Sequence, residues 1–238
     1  MFTEFQDDSV VLISEIFHSI QGEGKLVGMP SIFIRTSGCN LRCTWCDTPY
    51  ASWEPTGVTL EVDQILERVS DFSTKFVVLT GGEPMIAPEV DTLTHRLQAA
   101  GYHVTIETAG TVWREITCDL ASVSPKTGNS TPHTRDGGRW VDRHERERIN
   151  IDVIRRFMNR GDYQLKFVVD TPADINEIDD LLTQLGPYDP ANILLMPQGV
   201  TKEELDERSP WIINICKKRS FRFSPRMHIS LFGNVRGK

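Results

Sequence analysis

Apolar residues in this chain fall into short β-branched runs separated by stretches of helical spacing. Val10 to Phe17 and Ser31 to Thr36 are the first two runs; Lys75 to Thr80, His103 to Glu107, Asp119 to Ser124, Tyr163 to Asp170 and Asn192 to Met196 follow. Each has the length and the Val/Ile/Phe content of a strand. Between them, Val62, Ile65, Leu66 and Val69 recur with helical period behind Thr59, which reads as an N-cap. Val90, Leu93, Leu97 and Ala100 mark a second helix that Gly101 should end. Asn150 caps a third, with Val153, Ile154, Phe157 and Met158, and Ile175, Ile178, Leu182 and Leu185 form the apolar face of a fourth that stops at Gly186. Thr201 and Glu204 make a capping-box pattern for a last helix through Ile212, Ile213 and Cys216. Phe221 to Phe232, carrying Arg226 and His228, reads as a final extended segment. From Thr127 to Arg148 the chain is polar, charged and without apolar period, so a surface insertion or mobile loop, with a lid as one role, is expected there.

About six such strand–helix units imply an α/β fold with a parallel sheet and helices outside it. The polar motifs sit directly after strands: a cysteine loop, Gly81-Gly82-Glu83-Pro84, Glu107, Ser124-Pro125-Lys126 and Pro197-Gln198-Gly199. In a barrel of parallel strands every such position opens on one face, where barrel enzymes keep their active sites. Motifs scattered along the chain would thereby share one pocket.

The cysteine loop, Gly38 to Tyr50, reads G-C-N-L-R-C-T-W-C-D-T-P-Y. Three residues separate Cys39 from Cys43 and two separate Cys43 from Cys46. Thiolate is the ligand that iron–sulfur centres select, whereas a structural zinc site usually wants four ligands in two close pairs. Three cysteines on a four-iron cluster leave one iron open to an exogenous ligand. Arg35, alone among apolar neighbours, calls either for an anion to bind in bidentate fashion or for an internal salt bridge. Gln21-Gly22-Glu23-Gly24 is a turn where backbone can approach a ligand closely.

The triplet spacing, with Gly-Gly-Glu-Pro about 35 residues later at a strand end, resembles the radical S-adenosylmethionine (SAM) superfamily. Within it the chain is similar to the 7-carboxy-7-deazaguanine synthases over nearly its whole length. F-H-S-I-Q-G-E-G, F-I-R-T-S-G-C-N-L-R-C-T-W-C-D-T, L-T-G-G-E-P, I-E-T-A-G, S-P-K, L-K-F-V-V and L-M-P-Q-G carry the likeness. The resemblance implies a single domain over 1–238, a partial or modified TIM-like (β/α)6 barrel of the radical SAM type. It implies a [4Fe-4S] cluster on Cys39, Cys43 and Cys46, and SAM held by Trp45, Cys46, Asp47, Gly82, Glu83, Ser124, Pro125, Lys126, Pro197, Gln198 and Gly199. Mg²⁺ would sit on Thr48, and the substrate against Ile20, Gln21, Gly22, Glu23, Arg35, Thr80 and Glu107, the last a candidate for either ligand. The family's reaction converts 6-carboxy-5,6,7,8-tetrahydropterin to 7-carboxy-7-deazaguanine with loss of ammonia, through a 5′-deoxyadenosyl radical regenerated in each turnover. A flavodoxin or ferredoxin as reductant, a homodimer and a place in queuosine and tRNA-modification biosynthesis belong to the same expectation. Ala109 stands where relatives often carry asparagine and Phe232 where tryptophan is common, so those contacts are not carried over.

A formal net charge of −7 argues against nonspecific nucleic-acid binding. No apolar run is long enough for a membrane span, and the acidic stretch Met1 to Asp8 is unlike a signal peptide, so a cytoplasmic protein is expected. Cys118 and Cys216 stand alone in apolar surroundings and read as small buried hydrophobes. Alternatives from the same residues are a glycyl-radical-enzyme activase, which gives no reason for Gln21-Gly22-Glu23 or Thr48, and a non-catalytic iron–sulfur or zinc protein.

Overall fold

A computed structural model describes residues 10–238; the acidic Met1 to Asp8 stretch lies outside them. Among the described residues, nine strands form one sheet. In chain order they are β1 (Val10–Ile20), β2 (Pro30–Thr36), β3 (Val58–Glu61), β4 (Phe76–Gly81), β5 (His103–Thr108), β6 (Leu120–Val123), β7 (Tyr163–Val169), β8 (Ile193–Pro197) and β9 (Arg222–Phe223). Their spatial order is β3-β1-β2-β4-β5-β6-β7-β8-β9. β1 is antiparallel to both β2 and β3, and every pairing from β2 through β9 is parallel. No ladder joins β3 to β9 among the described residues, so the sheet is a partial, open barrel.

Alternation along the parallel strands separates core from cavity. Ile32 and Ile34, Val77 and Leu79, Val104 and Ile106, Ala121 and Val123, Leu165 and Phe167, and Ile193 and Leu195 pack into one hydrophobic core with the helices. The opposite parity points inward: Arg35, Thr80, Glu107, Ser122, Lys166 and Met196 line a cavity. Arg35 pairs with Thr80 and Glu107 with Ser122 across adjacent strands, which sets these polar groups side by side.

The helices are α1 (Pro49–Ser52), α2 (Val62–Ser70), α3 (Val90–Ala99), α4 (Val141–Glu147), α5 (Ile151–Arg160), α6 (Asp174–Leu185), α7 (Lys202–Arg219) and α8 (Met227–Phe232). The Asn150 cap and the Thr201/Glu204 capping box form as the sequence suggests. Three expectations are corrected. Thr59 is not an N-cap: residues 58–61 pair with β1 as an edge strand, and Glu61 caps α2 with Gln64 in a capping box. Phe221 to Phe232 is extended only at β9, then turns into α8, whose Ile229 is buried. The 127–148 segment is no free polar loop, because Thr127, Ser130, Thr131 and His144 are buried.

Phe157 of α5 is fully buried, with its ring edge-on to Trp113 at 5.0 Å between centroids. Phe157→Ala should therefore cost about 3–5 kcal/mol of stability, measured by denaturant unfolding.

Candidate active site

The inward faces of the strands and the loops that follow them enclose a cavity of about 700 Å³. One wall is the cysteine loop after β2. Its shape is fixed by backbone bonds: Gly38 N–H donates to Ala51 O at 2.8 Å, and Glu83 N–H donates to Gly38 O at 2.9 Å. The second bond clamps the Gly-Gly turn after β4 onto the loop. A Cβ at Gly82 would collide with the carbonyl oxygens of Gly38 and Ala51, so no other residue permits this approach.

Cys39, Cys43 and Cys46 all line the cavity, and neither Cys118 nor Cys216 does. Leu41 N–H points at Cys39 Sγ at 3.4 Å, and Cys46 Sγ lies 3.1 Å from Ser52 Oγ. Burial pushes the Cys39 and Cys43 thiols up, Cys43 to about 12, so they become thiolates only when a metal claims them. Among the described residues no three His, Cys, Asp or Glu side chains close around a single ion. Three thiols facing one cavity without a fourth cysteine fit a polynuclear centre with an open position rather than a mononuclear zinc site.

Trp45, Asp47, Thr48, Gly82, Ser124, Lys126 and Gln198 line the same cavity as the cysteines. Lys126 Nζ is folded back on Ser124, donating to its carbonyl at 2.6 Å and its hydroxyl at 2.9 Å. Pro125, Pro197, Gly199 and Glu83 do not line it. Glu83 turns into the interior, fully buried, and accepts from Thr108 Oγ1 at 2.6 Å, Ala109 N–H at 2.7 Å and Met85 N–H at 3.1 Å. Burial raises its pKa, since these bonds offset desolvation only in part. Its side chain braces the turn.

The turn after β1 brings Ile20, Gln21, Gly22 and Glu23 to the cavity beside Arg35, Thr80 and Glu107. Gln21 Nε2 donates to Glu107 Oε1 at 3.1 Å. Arg35 takes the salt-bridge option: its Nε donates to Glu15 Oε1 at 2.6 Å, and Tyr50 OH donates to the same oxygen at 3.0 Å. The guanidinium still lines the cavity.

Of three further contributors, sequence reasoning misses Lys166 and leaves Arg226 and His228, singled out on the terminal segment, without a role. Lys166 is buried on β7 and ion-paired with Glu23. Arg226 donates from Nε to Glu23 Oε1 at 3.1 Å, and its other nitrogens bond Asp47 and the Gly199 carbonyl. His228 packs against Gly22, where any Cβ would strike the imidazole. The Lys-Phe-Val-Val run hid its inward lysine, and the arginine and histidine follow a break in pattern that strand periodicity cannot span. Burial alone would raise the Glu23 pKa; Lys166, Arg226 and His228 overcome it and hold the carboxylate well below its usual range.

Residues 33–166 match the model of the radical SAM superfamily, the class that this barrel and cysteine cavity define. The 7-carboxy-7-deazaguanine synthase of Rhodopirellula baltica is 47% identical over 231 residues, covering 97% of this chain and 90% of that protein. That of Halobacterium salinarum is 43% identical, over 96% of this chain and 93% of its own. QueE from Escherichia coli superposes with a TM-score of 0.72 at 27% identity, covering 92% of this chain and 95% of that one. The chain belongs to the 7-carboxy-7-deazaguanine synthase family. The superfamily implies the [4Fe-4S] cluster and SAM as cofactors, and the activase and simple iron–sulfur or zinc readings are not favoured.

Two outcomes follow. Adding SAM to the reduced, reconstituted protein should change the cluster's EPR signal; an unchanged spectrum from an intact cluster would count against the open-iron arrangement. Glu23→Gln should destabilise the protein by about 3 kcal/mol near neutral pH, because Lys166 and Arg226 lose their buried counter-charge. Glu23 stays ionised in the folded state below its unfolded pKa of about 4.3, so the unfolded chain takes up the proton first. The gap between wild type and variant, measured by unfolding at several pH values, should therefore shrink as pH falls below that point.

Proposed function

We propose that the protein converts 6-carboxy-5,6,7,8-tetrahydropterin to 7-carboxy-7-deazaguanine with loss of ammonia. The observation that supports this most is the meeting of three unpaired cysteines with a belt of hydrogen-bonding groups, Gln21 with Glu107 and Glu23 with Lys166, in one cavity. When bound, the cluster and SAM supply one-electron cleavage of the sulfonium and the radical that abstracts a substrate hydrogen. The chain's own residues bind and orient. Gly82 gives the methionyl amino group access to the turn, while Ser124, Lys126 and Gln198 offer polar contacts on the SAM side.

Gln21 and Glu107 present an amide and a carboxylate to the amine-and-amide edge of the pterin. Arg35, steadied by Glu15 and Tyr50, faces the substrate carboxylate. Thr48, which lines the cavity and has its hydroxyl 3.8 Å from Cys46 Sγ, would be the protein ligand for Mg²⁺, an ion that keeps few protein ligands and takes the rest from substrate and water. Flavodoxin or ferredoxin as electron donor, a homodimer, a cytoplasmic location and delivery of product to tRNA modification complete the reading. They rest on the resemblance to the family. No helix among the described residues is long and apolar enough to cross a membrane.

The test is an anaerobic assay of reconstituted protein with the tetrahydropterin, SAM, Mg²⁺ and dithionite, followed by mass spectrometry. Product in excess over SAM consumed is expected; cleavage of SAM with the pterin intact would overturn the substrate assignment. Thr48→Val should raise the Mg²⁺ concentration for half-maximal activity by roughly tenfold, the equivalent of about 1.4 kcal/mol, and an unchanged Mg²⁺ response would remove Thr48 from that role.

A further inference from the structure

The 127–148 segment has no part in the reading above, yet it is hydrogen-bonded to the cysteine loop at several points. Thr44 N–H donates to Ser130 O at 2.8 Å, Trp45 Nε1 donates to Asn129 O at 3.0 Å, and Arg135 Nη1 donates to Thr44 O at 3.0 Å. Asn129 in turn donates to Val168 O at 3.0 Å and so anchors the segment to β7. Arg42 caps two carbonyls of its own loop, Cys39 O at 2.7 Å and Leu41 O at 2.8 Å, and lies 4.8 Å over the Trp140 ring.

His144 of α4 is at the centre of these contacts and is 1% exposed. Arg42 N–H, between Cys39 and Cys43, points at His144 Nδ1 at 3.2 Å. That donor must meet a lone pair, so the ring proton sits on Nε2, which is 2.9 Å from Ser130 Oγ. Ser130 Oγ–H passes the chain on to Thr127 O at 2.6 Å. Each donor has one acceptor, and the order leaves a single tautomer. Burial also lowers the ring's pKa to about 4, which keeps it neutral and able to accept.

From this geometry we infer that His144 is a positioning residue for the cluster: a neutral imidazole latch that fixes the Cys39-to-Cys43 arc through Arg42 N–H and ties it to Ser130. Any buried imidazole needs partners for its nitrogens; what marks this one is that a partner is the backbone between two of the cysteines. The latch restrains the first two thiols at the spacing the iron centre needs, so its removal loosens the ligand set without touching a ligand. The inference rests on the cluster reading of Cys39, Cys43 and Cys46 and is independent of the substrate.

The test compares reconstituted wild type, His144→Ala and His144→Asn. Each is challenged anaerobically with an iron chelator while the visible absorbance of the cluster is followed, and the EPR spectrum of the reduced cluster is recorded. Loss of a group that orients a metal ligand costs about 10–100-fold in metal retention. His144→Ala should release iron about tenfold faster at the low end of that range and broaden the EPR signal. His144→Asn, whose Oδ1 can accept from Arg42 N–H, should recover most of both. Equal release from wild type and His144→Ala would overturn the latch, and so would His144→Asn behaving like His144→Ala, since the imidazole then only packs. Should His144→Ala fail to fold, His144→Leu, which fills space without accepting a bond, replaces it with the same criteria. A wild type that loads no cluster would bring down the cysteine assignment and the latch together, and is distinguished by its lack of absorbance at the start.

Discussion

The site depends on one buried charge arrangement. Glu23 lies between Lys166 and Arg226, and Arg226 also grips Asp47 and the Gly199 carbonyl. Two cations and two carboxylates taken out of water are costly singly and tolerable together, because each is paired and hydrogen-bonded. The arrangement joins the turn after β1, the inner face of β7, the cysteine loop and the approach to α8. Four elements far apart in sequence are thereby held together around one cavity.

Around that arrangement the barrel does two jobs with one periodicity. Outward residues of the parallel strands make the core with the helices, while inward residues carry the chemistry. This is why strands such as Tyr163 to Val169 read as almost wholly apolar although Gln164 and Lys166 interrupt them: the interruptions belong to the opposite face. The Gly-Gly turn adds a steric requirement, since backbone of β4 must touch backbone of the cysteine loop with no Cβ between them.

Much of this was legible in the sequence. Strand order along the chain, the Asn150 and Thr201 caps, and the placement of motifs after strands follow from local patterns. The likeness to known families added the [4Fe-4S] cluster and SAM. Local patterns could not show that Glu83 turns inward to Thr108 and Ala109, because the choice depends on a partner strand rather than on its neighbours in sequence. Thr59 suits both an edge strand and a helix cap, and only the pairing of 58–61 with β1 decides between them. His144 was hidden for a different reason. It lies among charged residues on a short helix, and the partners of its ring, Arg42 and Ser130, are remote from it in sequence.

The bond from Arg226 to Asp47 joins positions 179 residues apart. At a synthesis rate of about 5–20 residues per second, the cysteine loop is made on the order of 10–40 s before its arginine exists. For that interval Asp47 lacks the cation that pairs with it, and the β1 turn lacks the His228 ring that packs on Gly22. The cysteine-bearing wall of the cavity is thus an early product of translation, and the segment carrying Arg226 and His228 that completes the lining is a late one.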